Sequence, residues 1–319
     1  MSLEFDYLEK ITLLHDRSKM LKRVRNFFDK KKFVEVDCNA LNPLPELDLY
    51  IDPFEVPMPI GPSFYLHTSP EYGMKELLSI GMKNIFQLSH VFRKEEKGSL
   101  HRNEFMMLEW YEVGVSLDHF LSSVIDLISL FLGKTRTQIL PYTKAFDRLS
   151  IDPDASKEAI IHAIPSLPLE VRSWDKQSLL HYVWSSFIQP TLGCGETTII
   201  SEFPSSESAL AKTIQKDGKE IALRFEIYRE GMELGNGYVE LTDPKETKYR
   251  FLQVIQNRRL HDKSDLPLNT DFLQVMDRGI PACCGVAIGF DRLMMLRNKK
   301  SDIASILPEI TCPISSPAQ

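Results

Sequence analysis

The chain is 319 residues long, 43% hydrophobic and 26% charged, and its 38 Lys and Arg against 44 Asp and Glu leave a net charge of −6. This composition excludes disordered, collagen-like and disulfide-scaffold proteins. The acidic balance argues against binding nucleic acid through a broad basic surface, because phosphate contacts need clustered Lys and Arg. The length accommodates one large domain or two small ones. Cys38, Cys194, Cys283, Cys284 and Cys312 form no metal-ligand spacing and read as free thiols of a reducing compartment.

In chain order, residues 1–10 contain no apolar signal core. Apolar residues near helical spacing predict an amphipathic helix over 13–28, with Arg17, Lys19, Lys22, Arg23 and Arg25 on a basic face. Residues 33–36 read as a short strand, and the prolines from Pro43 to Pro62 keep the next segment extended. A strand over 64–68 is followed by a helix that Pro70 opens and that runs to Leu78. Residues 84–93 and 104–113 are strand-like on either side of a polar loop at 94–103, which predicts a long antiparallel hairpin. Leu117, Leu121, Val124, Ile128 and Phe131 mark a helix that Gly133 stops. This is the most apolar stretch of the chain, and it is too short and too charged to span a membrane. Residues 141–189 show no clear pattern. Strands are predicted over 197–203, 221–228, 238–241 and 283–289, and helices over 245–260 and 290–296. Strands outnumber helices and the clearest pair is a hairpin, so an α+β domain on an antiparallel sheet is expected rather than a doubly wound parallel one. No linker marks a second domain, and residues 1–319 are expected to form a single cytoplasmic domain.

Three segments carry chemistry. In the first, Phe92-Arg93-Lys94-Glu95, His101-Arg102-Asn103-Glu104-Phe105 and Leu108-Glu109-Trp110-Tyr111 crowd charges and aromatics onto one hairpin. An arginine held on a sheet is a rigid two-pronged donor suited to carboxylate or phosphate. In the second, Glu226, Glu233 and Glu240 recur every seven residues, while Gly231, Gly235 and Gly237 rule against a helix. On strands joined by a turn, such carboxylates can converge on a divalent cation or an ammonium group. In the third, Gly285, Ala287 and Gly289 share one face of a strand, leaving it nearly bare for a flat ligand, with Arg292 in reach of a phosphate. Each segment also has a plainer reading: paired surface charges, a solvated acidic face, and a glycine strand packed closely on a helix.

Taken together, the three segments resemble the catalytic core of class II aminoacyl-tRNA synthetases. Phe92-Arg93-x-Glu95 through Glu109-x-Tyr111 is similar to motif 2, and Gly285-x-Ala287-x-Gly289-x-Asp291-Arg292 to motif 3. Glu233-Leu234-Gly235-Asn236-Gly237-Tyr238-x-Glu240-Leu241 resembles the lysyl-specific signature between them. The likeness begins within the first helix, which leaves no room ahead of it for the anticodon-binding β-barrel of lysyl-tRNA synthetases. The chain therefore resembles their truncated paralogs, which attach (R)-β-lysine to a lysine of translation elongation factor P. Ser69, in Thr68-Ser69-Pro70-Glu71, and Ala287 also match the paralogs, where the tRNA enzymes generally have Ala and Gly.

That resemblance implies ATP as co-substrate, Mg²⁺, an aminoacyl-adenylate intermediate, elongation factor P as acceptor in place of tRNA, and a homodimer. It implies that Arg93 grips the α-phosphate and Arg292 the γ-phosphate, with Arg93 and Arg292 catalytic. Glu95 would hold the adenine amino edge or orient Arg93, and Phe105 would stack on the adenine. Lys94, Arg102, Leu234 and Gly289 belong to the same nucleotide site. Glu233, with Glu226 or Glu240, would support Mg²⁺. Ser69, Pro70, Glu71, Glu109, Tyr111, Asn236, Glu240 and Ala287 would form the amino-acid pocket. Two positions depart from the family pattern: Arg102 replaces an ATP-contacting Asn, and Asn39 replaces the proline that ends the first motif at the dimer interface. A shortened synthetase that charges tRNA and a non-catalytic amino-acid sensor are the competing readings.

Overall fold

In the computed structural model, which describes residues 2–96 and 98–309, the alternating strands assemble into a sheet whose two faces differ in chemistry. The strands are β1 (Val34–Glu35), β2 (Leu41–Asn42), β3 (Glu55–Val56), β4 (Phe64–Leu66), β5 (Ile85–Phe92), β6 (Glu104–Val113), β7 (Thr137–Pro141), β8 (Thr197–Pro204), β9 (Thr213–Lys216), β10 (Lys219–Arg229), β11 (Met232–Val239) and β12 (Cys283–Gly289). The helices are α1 (Ser2–Lys30), α2 (Glu71–Ser79), α3 (Leu117–Leu132), α4 (Tyr142–Ala145), α5 (Lys157–Ala163), α6 (Lys176–Val183), α7 (Pro244–Leu260), α8 (Thr270–Arg278) and α9 (Phe290–Arg297). The large sheet runs β1-β5-β6-β12-β11-β10-β8-β7, with β9 paired to β10; β2, β4 and β3 form a small second sheet. Among the described residues only the β1–β5 and β7–β8 pairs are parallel, so the fold is α+β on a mostly antiparallel sheet, as expected.

Residues opposite one another across antiparallel strands share a face. One row therefore sets Gln87, Glu109, Ala287, Asn236 and Glu226 abreast, and the next sets Tyr111, Gly285, Tyr238 and Arg224 abreast. These rows form the polar front face. The alternate residues Leu108, Trp110, Val286, Ile288, Phe225 and Ile227 form the back and are buried under Met20, Val24 and Phe28 of α1, Phe120 and Val124 of α3, and Leu293 of α9. Phe28 stacks on Phe86 at 4.3 Å and meets Trp110 edge-on at 5.4 Å. Burying side chains of this size contributes about 1.5–3 kcal/mol each and fixes which face is left to the site.

A bulge interrupts this alternation. Glu226 pairs with Asn236 and Ile227 with Gly235, but Tyr228 pairs with Glu233, so Leu234 has no partner on β10. Leu234 and Gly235 therefore both face the back core, and Glu233 is delivered to the front beside Tyr228.

The front is built up on three sides. Residues 142–192, which take in most of the stretch 141–189 that showed no clear sequence pattern, fold as short helices with a π-helical turn at Trp184–Ile188. They pack Tyr142, Phe146 and Trp184 onto Ile200, Phe203 and Tyr228. α2 and α8 join through Tyr72 stacked on Phe272 at 3.9 Å, with Phe251 of α7 against both. The hairpin loop after β5 closes the third side.

Three sequence expectations change. The first helix extends over Ser2–Lys30, not 13–28. Arg17, placed on its basic face, is instead buried against Asp291 of α9, with its guanidinium 5.0 Å from the centre of the Phe290 ring. The strand expected at 238–241 overlaps only the end of β11, which runs from Met232 to Val239; its glycines hid the rest from a propensity reading. Cys38, Cys194, Cys283 and Cys284 are free thiols, and Cys312 lies outside the described residues. Among the described residues, no helix is long and apolar enough to cross a membrane.

Candidate active site

A cleft of about 1130 Å³ opens on the front face. Its two ends carry opposite charge.

At one end are arginines. Arg93 follows β5, and its guanidinium lies over the Phe105 ring, 5.1 Å from the centroid, with Nε donating to the Thr68 carbonyl at 3.4 Å. Arg292, in the first turn of α9, donates through Nη1 to the Glu233 carbonyl and through Nη2 to His101 Nε2, both at 2.8 Å. An arginine only donates, so His101 Nε2 is the acceptor and its proton sits on Nδ1. Burial, and then the Arg292 charge, push His101 below the usual histidine range and favour this neutral form. Asp291, the neighbour of Arg292, points the other way: it binds Arg17 and accepts the Met106 N–H at 2.7 Å. It fixes α9 to β6 and to α1.

The structure rearranges several residues assigned to this end. The carboxylate beside Arg93 belongs to Glu96, at 3.6 Å, not to Glu95. Glu95 sits exposed in a turn at a φ of 66°, and neither it nor Lys94 lines the cleft; Lys94 pairs through its backbone with Asp52. Arg102 lines the cleft but is held by the Gly98 and His101 carbonyls at 2.5 and 2.9 Å and by Asp302 at 3.2 Å. Leu234 turns its side chain into the back core, and Gly289 lies directly against the Arg292 side chain, which a Cβ there would touch at 3.5 Å.

At the other end are carboxylates. Glu109 accepts the Ser69 hydroxyl at 2.5 Å and the Tyr111 hydroxyl at 2.6 Å, one on each oxygen. Burial first, and then the nearby Glu71 charge, push Glu109 up to about 8. Next to it, Lys75 Nζ lies 2.5 Å from Glu71 and 2.6 Å from Glu240. Burial opposes a charge on Lys75, but Glu240 and Glu71 outweigh it and hold the ammonium above the usual lysine range. Burial pushes Glu240 up to about 7 against the pull of Lys75. The supposedly bare strand is covered at Gly285, where a Cβ would collide with the Tyr111 ring and the Glu240 carboxylate. It is open at Ala287, which lines the cleft between Glu109 and Asn236. Pro70 starts α2 and does not line the cleft.

Between the ends, Arg224 donates to Asn236 Oδ1 at 3.1 Å and binds Glu226, which also accepts the Tyr228 hydroxyl. Burial pushes Glu226 up to about 7 against the Arg224 charge, and Glu233 adds to the rise. Glu226 and Glu233 thus act on each other, whereas Glu240 belongs to the Lys75 cluster. Among the described residues no three carboxylate, His or Cys side chains form a ligand cage. A pair of carboxylates beside the arginine end is a donor set that suits Mg²⁺, which is commonly held by one or two carboxylates plus substrate phosphates.

Sequence reasoning overlooked Lys75 and Glu46, and assigned no role to Arg224, which stands in the second segment beside Glu226. Lys75 stands four residues after Glu71 on α2, a spacing that does signal an ion pair. Glu46 lies in a proline-rich segment whose pattern carries no such signal.

The chain matches the tRNA synthetases class II (D, K and N) over residues 6–308 and belongs to that family. Within it, the chain is 35% identical over 302 residues to the elongation factor P–(R)-beta-lysine ligase of Pectobacterium atrosepticum, covering 91% of this chain and 92% of that protein. Proteins of the same name from Salmonella dublin and Pectobacterium carotovorum are 35% and 34% identical over the same shares.

Proposed function

We propose that this chain is an ATP-dependent ligase that activates (R)-β-lysine as its adenylate and transfers it to a lysine side chain of elongation factor P. One observation carries the reading: a single cleft joins two anchored arginines, Arg93 and Arg292, to a carboxylate pocket of buried Glu109 and Glu240 and half-buried Glu71. ATP brings polyphosphate to the first and β-lysine brings two ammonium groups to the second. The similarity to relatives bearing the ligase name supports the choice of amino acid and acceptor.

In this reading Arg93 holds the α-phosphate and Phe105 offers a face for the adenine, while Arg292, oriented by His101, binds the γ-phosphate. Glu96 takes the part first given to Glu95 in orienting Arg93. Glu226 and Glu233 would hold Mg²⁺, which neutralises phosphate charge when bound. Ser69 and Tyr111 fix the Glu109 carboxyl so that it meets an amine without reorganising. Asn236 and Ala287 shape the wall, and the Ala287 methyl narrows the space available to the amino acid. The substrate carboxylate oxygen attacks the α-phosphorus as the bond to pyrophosphate breaks, and charge building on the phosphate is met by Arg93. The acceptor lysine amine, having lost its proton, then attacks the adenylate carbonyl, and AMP leaves with the bonding pair.

Residues 142–192 pack on the same sheet as the cleft, which supports treating the chain as one catalytic unit. The apolar side chains of Tyr7, Leu8 and Ile11, exposed on α1, are consistent with a homodimer. ATP–pyrophosphate exchange with α-lysine, (R)-β-lysine and (S)-β-lysine, followed by transfer of labelled product, tests the proposal. Fastest exchange with (R)-β-lysine and label on elongation factor P are expected. Label on tRNA with none on the factor, or no exchange with any of the three, would overturn it.

A further inference from the structure

We propose that Glu46 is a positioning residue that holds the Thr68–Ser69 peptide in the one place where it serves both ends of the cleft. The inference rests on the function proposed above and assigns a role to a carboxyl which that mechanism leaves unused. A single oxygen of Glu46, Oε2, accepts both the Thr68 backbone N–H at 2.5 Å and the Thr68 hydroxyl at 2.8 Å. From that anchored residue two contacts diverge. The Thr68 carbonyl accepts Arg93 Nε at 3.4 Å, on the side of the nucleotide. One residue on, the Ser69 hydroxyl donates to Glu109 at 2.5 Å and accepts the Glu71 N–H at 3.1 Å, on the side of the amino acid.

The backbone on either side of Glu46 is itself tied down. The Leu47 N–H donates to the Tyr72 hydroxyl at 3.1 Å, and Asn269 Nδ2 donates to the Pro45 carbonyl at 3.0 Å. The carboxyl is thus delivered from a fixed backbone, and what it fixes in turn is the turn that opens α2. Burial pushes Glu46 up to about 7 against its bonds to Thr68, and the Glu71 charge adds to the rise. Both Thr68 bonds go to one oxygen, so near neutral pH a protonated carboxyl or an amide can accept them in the same place.

The test compares Glu46→Ala with Glu46→Gln in the full chain, reading KM for ATP and for β-lysine, kcat, and separately ATP affinity by calorimetry. Glu46→Ala should raise both KM values about tenfold, since small misplacements of binding groups are amplified in this way. Glu46→Gln, whose amide oxygen can accept both Thr68 bonds, should stay within about twofold of the parent. A purely structural role would lower the unfolding midpoint and the active fraction without moving KM. The proposal is overturned if both KM values of the Ala variant stay within about twofold of the parent, if only one rises, or if Gln is as damaging as Ala. Should the parent show no exchange with any amino acid, the functional reading fails but the calorimetric arm still decides. Weaker ATP binding in the Ala variant, restored by Gln, would uphold the coupling to Arg93; unchanged binding would refute it.

Discussion

At the arginine end of the cleft, the contacts that orient Arg93 and Arg292 are mostly neutral: Arg93 has a carbonyl and an aromatic face, with the Glu96 carboxylate farther off at 3.6 Å, and Arg292 has a carbonyl and a neutral imidazole. At the carboxylate end, charge is held by charge, with Lys75 bridging Glu71 and Glu240 and only Glu109 left to hydroxyls. The first arrangement leaves positive potential for an incoming anion. The second stores negative groups in a buried place, where they are tolerable because one internal cation offsets two of them and a third keeps its proton. The two ends therefore differ in what they lose when a residue is removed. The arginine end should lose rate; the carboxylate end should lose stability and pH behaviour as well.

The sharpest way to break this contrast is Arg93→Ala. Exchange should fall on the order of a thousandfold, with an unchanged circular dichroism spectrum and unfolding midpoint. Retained exchange would show that the hairpin is only structural. Lys75→Met should act in the opposite sense, lowering the unfolding free energy by about 3–5 kcal/mol because two carboxylates lose their buried partner. Urea denaturation measures it, and a loss below about 1 kcal/mol would mean that the pair behaves like a surface one.

Protonation sharpens the comparison further. Glu109 is pushed up to about 8 from an ordinary 4.5, so between those values the folded chain binds more protons than the unfolded one. Its contribution to stability is then present below 4.5 and is lost as pH rises to about 8. From about pH 7 to about pH 8, above the titration of unfolded histidines, the urea midpoint should decline. Saturating β-lysine should blunt the decline, since an ammonium beside Glu109 favours its charged form. A midpoint that rises over this range would contradict the assignment. Ala287→Gly should have the smallest effect, raising the α-lysine to β-lysine exchange ratio by less than about tenfold. An unchanged ratio would remove Ala287 from the specificity argument.

Much of this was legible in the chain. The hairpin expected over 84–93 and 104–113 is Ile85–Phe92 and Glu104–Val113, and the strand and helix at the third segment are Cys283–Gly289 and Phe290–Arg297. Alternation on a sheet with one apolar face is a strong local signal, and here it also put Glu109 and Tyr111 together. What the chain did not disclose depends on distant partners. Arg17 looked like a solvated charge until Asp291, 274 residues away, took it inside. Glu95 and Glu96 are indistinguishable by pattern, and only the turn after β5 decides which one meets Arg93. Gly235 and Gly237 argued against a helix but did not mark the strand that begins at Met232. They are glycines because the backbone of β12 and the Phe225 ring already occupy the space a side chain would need.

The unpaired Leu234 has a wider consequence. A strand obeys a parity rule, odd residues to one side and even to the other, and β11 breaks it once. Glu226 and Asn236 are even and Glu233 is odd, yet all three reach the same face. Removing one residue at the bulge would restore the parity of the strand and turn either Glu233 or Asn236 into the apolar core. The segment should therefore tolerate changes of side chain far better than changes of length, and its spacing is as much part of the site as its carboxylates.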